Sequence, residues 1–228
     1  MKGLLKKDFL TLYKTWPALL LVFAAVTLML VYFGAESGIL SFVTIYFVMQ
    51  GVSSLITDKM GGWYSYQTTL PVSRANALRE KYILSLLCGL AGFVLGFAIT
   101  MLITGGSDQE SLEISMLIGI VLSLSAAVFG IPMLAVLPKN SFIISIFGSL
   151  LPGAIVVGIW SQKISEASAA MTESTIAVTE SGAMEIAGAA AEFSMHLEIL
   201  WWGLAIMAIL FVLSYIIAPV LVAKTDQN

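Results

Sequence analysis

Six apolar runs, at about 16–34, 38–57, 82–104, 113–137, 141–160 and 199–222, decide what this 228-residue chain can fold into. Each approaches the ~20 residues that a helix needs to cross a hydrocarbon layer about 30 Å thick. Lipid offers no water to bond a bare backbone, so such runs are predicted to be helices that satisfy their own peptide groups. The composition agrees, with 59% hydrophobic and 11% charged residues, where soluble chains carry about 25% charged residues. The mean hydropathy is +0.97. The predicted fold class is an all-α polytopic membrane protein with six transmembrane helices. A single transmembrane domain over 1–228 then leaves no room for a sizeable soluble domain. The first run is longer than the ~7–15-residue core of a signal peptide and lacks a convincing A-x-A end, so it reads as a retained first span.

The connections are short where hairpins are expected. "GAES" joins the first two runs around Gly34 and Gly38. "PKN" joins the fourth and fifth, with Pro138 ending one helix and Asn140 or Ser141 able to cap the next. Orientation follows from the basic residues. With the N-terminus inside, ten of the eleven lie on the cytoplasmic side: Lys2, Lys6, Lys7, Lys14, Lys59, Arg74, Arg79, Lys81, Lys139 and Lys224. Four acids accompany them, Asp8, Asp58, Glu80 and Asp226, for an inner balance of about +6. Outside, Lys163 faces ten acids, a balance of about −9. The positive-inside rule thus predicts a multi-pass protein with both termini cytoplasmic. A basic inner rim also attracts anionic lipid headgroups.

Three pieces do not span. In residues 1–15, Leu4, Leu5, Phe9, Leu12 and Tyr13 can share one helical face, with Lys6, Lys7 and Lys14 towards the other, predicting an interfacial amphipathic helix. Residues 58–81 form a cytoplasmic loop. Residues 161–198 form an outer segment in which Ile164, Ala167, Met171 and Val178, then Ile186, Ala190, Phe193 and Leu197, recur at helical spacing. Two amphipathic outer helices are predicted there, broken at Gly182.

Motifs for classical chemistry are missing. No G-x-x-x-x-G-K-[ST] occurs, and "GGWYSY" has no phosphate-binding lysine. There is no HExxH, no Cys/His cluster and no G-x-S-x-G. Cys88 is the one cysteine and lies in an apolar run, where it reads as a packing residue. His196 is also alone and reads as a surface or capping residue. The runs hold almost no ionisable groups, which argues against an ion-coupled transporter, whose ion path normally needs them. An intramembrane enzyme is disfavoured because the runs lack paired polar residues.

Small residues recur every four positions: Ser141, Ser145, Ser149 and Gly153 in the fifth run, Ser115, Gly119, Ser123 and Ala127 in the fourth, and Gly92 and Gly96 in the third. Such stripes let helix backbones approach closely, within one chain or across a dimer interface. On the outer segment, Glu173, Glu180, Glu185 and Glu192 make an acidic stripe. It is either a solvated face or a surface that attracts a cationic substrate such as a basic amphipathic peptide.

The loop "TDKMGGWYSYQTTLPVSRANALREKY" is the most informative stretch. A helical tail leaves the second run at Asp58, "GG" loosens the chain, and Trp63, Tyr64 and Tyr66 follow. Pro71 breaks the helix, and Ser73 can N-cap a new one over Arg74–Lys81. An acid, a Gly-aromatic pair and then "TLPVSR…NALREKY" resemble the cytoplasmic segment of ABC-2-type transporter permeases. The resemblance extends over the chain: its length, basic N-terminal helix, six spans, and a longer outer segment before the last. It is nearest to compact bacterial permeases that accompany peptide-export or antimicrobial-peptide-resistance ATPases, although the Ala/Glu-rich outer segment is longer than in many of them.

The resemblance implies a permease subunit of an ATP-binding-cassette exporter in a bacterial cytoplasmic membrane. It would work as a homo- or heterodimer with cytoplasmic ATPase subunits and move a hydrophobic or amphipathic substrate, a peptide among the candidates. Asp58, Gly62, Trp63, Leu70, Pro71, Ser73, Arg74 and Lys81 carry over as ATPase-coupling positions. Ser141, Ser145, Ser149 and Gly153 carry over as dimer-interface candidates. No catalytic, metal or cofactor site is implied in this chain, ATP and Mg²⁺ being held by the partner, and no nucleic acid is implied. The alternative is a non-transporting immunity or sensor protein that recognises cationic peptides with its acidic outer helices.

Overall fold

The computed structural model describes residues 2–36, 38–63, 73–105, 109–136, 142–177 and 185–225. They form six long helices: α1 (Lys2–Tyr32), α2 (Gly38–Met60), α3 (Arg74–Thr104), α4 (Gln109–Val136), α5 (Phe142–Ala177) and α6 (Glu185–Thr225). No strand occurs among the described residues.

Among the described residues, five stretches are long and apolar enough to cross a membrane: α2, α3, Ser111–Val136 of α4, Ile144–Lys163 of α5 and Leu197–Val220 of α6. In α1 the apolar portion, Leu20–Tyr32, is shorter. Two expected subdivisions differ. The N-terminal segment is one unbroken helix from Lys2 through Pro17 to Tyr32, not a separate interfacial helix followed by a span. The outer segment likewise contains continuations of α5 to Ala177 and of α6 from Glu185. Alanine and glutamate are good helix formers, so each helix runs on past its apolar stretch. The expected break at Gly182 lies outside the described residues, as does Pro138.

Local chemistry sets the ends. After α1, Gly34 takes φ 68°, a left-handed conformation cheap only for glycine. Gly34 N–H then donates to Val31 O (3.1 Å) and Ala35 N–H to Leu30 O (2.9 Å), the paired bonds of a Schellman ending. Helix α3 begins as expected at Ser73, whose hydroxyl accepts from Asn76 N–H at 3.3 Å. It then runs straight on to Thr104, so Arg74–Lys81 is the first part of a spanning helix and not a separate helix across the membrane surface.

Burial ranks the helices. In α2 and α4, 50% and 61% of the most apolar window is buried, against 17–22% in α3, α5 and α6. Helices α2 and α4 are therefore the centre, and the others present Leu, Ile and Phe faces outwards to lipid. Helix α2 packs most extensively on α3 and then α4, and α4 also meets α5 and α6. Helix α1 is peripheral and touches α2 and α3. The α2–α3 seam is close because it is built on glycine. A Cβ added to Gly51 would lie 2.5 Å from Ser85 Cα, and one on Gly92 2.5 Å from Phe47 Cβ. This use of small residues is how helices associate where the solvent is as apolar as the side chains.

Polar groups add directional contacts. Between α4 and α5, Ser125 Oγ donates to Ser149 O (2.8 Å) and accepts from Gly153 N–H (2.9 Å). Those two backbone groups would face each other in an uninterrupted helix. The hydroxyl sits between them beside Pro152, a residue that cannot donate to the ladder.

Candidate functional site

At the predicted cytoplasmic end, α1, the last turns of α2 and the first turns of α3 meet around charge. Leu4, Asp8 and Leu12 recur every four residues on α1 and are buried. Phe9 and Tyr13 are exposed, so the buried face of α1 is not the one expected from the Leu4/Leu5/Phe9/Leu12/Tyr13 grouping. Asp8 thus points into protein.

Its partners come from two other helices. Lys81 Nζ, on α3, donates to Asp8 Oδ2 and lies 2.6 Å from Asp58 Oδ2 of α2. Lys7 Nζ lies 2.5 Å from Asp58 Oδ1 and 3.0 Å from Asp8 Oδ1. Each lysine touches both aspartates, which closes a ring of four alternating, formally neutral charges. Lys81 and Asp8 expose only 3% and 2% of their side chains, whereas Lys7 exposes 25%. Trp63 places its ring 4.1 Å from Lys7 Nζ, in cation–π range. Glu80, also buried, is an electrostatic neighbour of Lys81, Asp8 and Lys7, and its Oε1 has no hydrogen-bond partner.

The next residue along α3 faces elsewhere. Tyr82 is fully buried, and its hydroxyl pairs with Ser214 Oγ of α6 at 2.6 Å. Ser214 in turn donates to Val128 O of α4 at 3.0 Å. The Tyr82 ring stands edge-on to Phe211 and Tyr215, with centroids 5.7 and 5.9 Å away. Successive residues on a helix point about 100° apart. Lys81 therefore grips α1 and α2 while Tyr82 grips α4 and α6. A second clamp lies nearby, where Lys59 Nζ donates to Ala135 O near the end of α4 at 3.1 Å. A cation there suits the partial negative charge of a helix C-terminus.

Of the expected coupling residues, Asp58 and Lys81 are thus brought into direct contact, and Trp63 rests on the same cluster. Gly62 takes φ 70° just after α2. Ser73 caps α3, and Arg74 is its first residue, half-buried. Leu70 and Pro71 lie outside the described residues. Ser145, Ser149 and Gly153 are all buried. Gly153 and Ser149 meet α4 of the same chain through Ser125, so this close approach is used within one protomer. Ser141 and Glu180 lie outside the described residues. Glu173, Glu185 and Glu192 are in α5 and α6, with side chains outside the description.

Sequence reasoning passed over Lys7, Asp8, Glu80 and Tyr82. The signal for Asp8 was available: an acid at the middle of a Leu4–Asp8–Leu12 stripe must be buried with a cation if the stripe is buried. No group of three or more His, Cys, Asp or Glu able to hold a metal occurs among the described residues.

Comparison with known proteins returned no match among curated proteins and none among solved structures. A family model described as "ABC-2 family transporter protein" matches residues 3–222, nearly the whole chain, including the ring, Lys59 and all but the outermost residues of the six helices. With five membrane-crossing helices around it, that match carries the assignment: the chain belongs to the ABC-2 family of transporter proteins, membrane permeases.

Proposed function

We propose that this chain is the transmembrane subunit of an ATP-binding-cassette exporter in a bacterial cytoplasmic membrane. Here α1 is the sixth span, both termini are cytoplasmic, and two such subunits pair with separate ATPases. Residues 58–81 receive the motion of the ATPase and pass it to the spans.

One observation carries this reading. Both ends of the 58–81 segment are fastened to the same ion ring, Asp58 at one end and Lys81 at the other, with Lys7 and Asp8 of α1 completing it. A push on the segment cannot be absorbed at either end without breaking buried ion pairs. It must instead move α1, α2 and α3 together. Through Tyr82 the same displacement reaches α4 and α6. The chain's own part is mechanical, and ATP chemistry belongs to the partner.

The substrate is proposed to be hydrophobic or amphipathic. The acidic outer segment, with Glu173, Glu180, Glu185 and Glu192, favours a cationic peptide by raising its local concentration. The same acidity favours the second reading, a sensor or immunity protein that binds such peptides without moving them. Isolation of the protein from native membranes separates the two. The exporter reading expects an ATP-binding-cassette subunit to co-purify. It also expects Arg74→Glu or Pro71→Ala to lower that recovery, or peptide-stimulated ATP turnover, with membrane insertion intact. Undiminished coupled turnover in both variants would remove the coupling role of 58–81, and recovery without any ATPase would favour the sensor.

A further inference from the structure

Helix α1 is fastened to α2 and α3 at the ion ring, and further along Phe23 of α1 meets Phe47 of α2 edge to face, with ring centroids 6.5 Å apart. A cleft of about 680 Å³ lies between them, within the size range of ligand sites, about 300–1,000 Å³. Phe9 and Leu10 of α1, Phe47 of α2 and Cys88 and Leu95 of α3 help to line it, and among the described residues Lys6 is its one charged lining residue. Phe9 and Leu10 remain half exposed despite lining it. Lys6 is exposed, and among the described residues no carboxylate lies within ion-pair distance of it, whereas its neighbour Lys7 is committed to the ring.

The shape and charge of the cleft narrow the occupant. Its lining runs from Lys6 to Phe23 on α1, 17 residues, and from Leu87 to Leu95 on α3, eight residues. At 1.5 Å rise per residue these are about 26 Å and about 12 Å. One leaflet, half of a bilayer of ~40–45 Å including headgroups, measures about 20–22 Å. A cleft of comparable length, apolar along its walls and with a cation at one end, suits one lipid of the inner leaflet, with its tail along those walls. The cation at its rim selects the headgroup.

From this geometry we infer that the cleft between α1 and the α2–α3 pair binds one anionic phospholipid of the cytoplasmic leaflet, acyl chain inside and phosphate on Lys6. The inference rests on the proposed orientation of the chain and not on the exporter reading.

The test uses the full chain, purified and delipidated, with phosphatidylglycerol or phosphatidylcholine added and retention read by native mass spectrometry. One phosphatidylglycerol per chain should be retained in preference to phosphatidylcholine. Lys6→Gln should lower that preference about fivefold, the effect of one basic residue near an anionic surface. Ala91→Trp, which places an indole in the cleft lining, should reduce retention of both lipids. Cys88 gives a readout independent of those variants: phosphatidylglycerol should slow its alkylation by N-ethylmaleimide in the unaltered chain. Equal retention of the two lipids, or an unchanged preference in Lys6→Gln, would overturn the inference. So would a Cys88 equally protected without lipid, since the cleft would then be covered by a second copy of the chain.

Discussion

Replacing Lys81 with Met should be among the most damaging single changes at the predicted cytoplasmic end. The substitution nearly conserves volume, so the loss isolates charge. Lys81 is 3% exposed, and it contacts Asp8 and Asp58, whose side chains are 2% and 11% exposed. Its removal leaves two buried carboxylates sharing Lys7. Breaking a buried ion pair from one side costs about 3–5 kcal/mol, because the remaining charge stays buried without compensation. Lys7→Met should cost less than half as much, because Lys7 is a quarter exposed and water already screens it. Adding Asp58→Asn to Lys81→Met restores a one-to-one balance of Lys7 with Asp8. The double variant should therefore recover at least ~1 kcal/mol relative to the sum of the single losses. Replacing all four ring members with apolar residues of similar size should return stability to near that of the parent. The assay is equilibrium unfolding of the full chain in mixed micelles, completed as a double-mutant cycle. Additive losses for Lys81 and Asp58, or equal losses for Lys7 and Lys81, would refute the closed ring as the source of the energy.

Three further outcomes follow from the packing. Ser125→Ala removes the hydroxyl between Ser149 O and Gly153 N–H. It should cost about 0.6 kcal/mol, and at most about 1.7 kcal/mol, in the same unfolding assay, the average and maximum for interhelical hydrogen bonds in a membrane protein; Ser53→Ala, whose hydroxyl bonds within its own helix, should cost less. Gly92→Ile should prevent α2 and α3 from closing, because even a Cβ at Gly92 would lie 2.5 Å from Phe47 Cβ. Fluorescence-detected size-exclusion chromatography should show loss of the monodisperse peak, and an unchanged peak would mean that the seam is looser than described. Tyr82→Phe deletes the bond to Ser214 at about 0.5–1.5 kcal/mol, and adding Ser214→Ala should cost less than the sum of the two single changes.

The spans were legible because lipid leaves the backbone one choice. The α2, α3, α4, α5 and α6 stretches follow from apolar length, and Ser73 and Gly34 from their own conformational chemistry. Neighbours were less legible. A spanning helix is apolar on every side, so hydropathy does not say that α2 and α4 are central. Only the small residues, Gly92 and Gly96 among them, marked a seam in advance. The ends of α5 and α6 were misjudged because polarity was read as a change of element. Helix propensity, which continues through "SEASAAMTES" and "EIAGAAAEF", ignores the membrane boundary. In the site, resemblance picked out Asp58 and Lys81 without saying that they touch. Lys7 and Asp8 were hidden by a rule that usually works, that charges on an amphipathic helix face water.

Why such a ring exists in so apolar a protein is a question of specificity as much as stability. Four well-packed apolar side chains would hold α1, α2 and α3 about as firmly, but they would also tolerate sliding by a turn. A ring in which each lysine bridges two aspartates has one register, because a shift of one helix separates at least two buried pairs. The ring sits one residue before Tyr82, whose hydroxyl bond to Ser214 fixes the position of α3 against α6, and through Ser214 against α4. On the exporter reading, this is the property a coupling element requires. Displacement of 58–81 is transmitted without slack to α1 through Lys81–Asp8, and to α4 and α6 through the adjacent residue. The all-apolar ring variant separates the two roles. Near-parental stability with lost ATP coupling would place the function in the register, whereas intact coupling would reduce the ring to a staple.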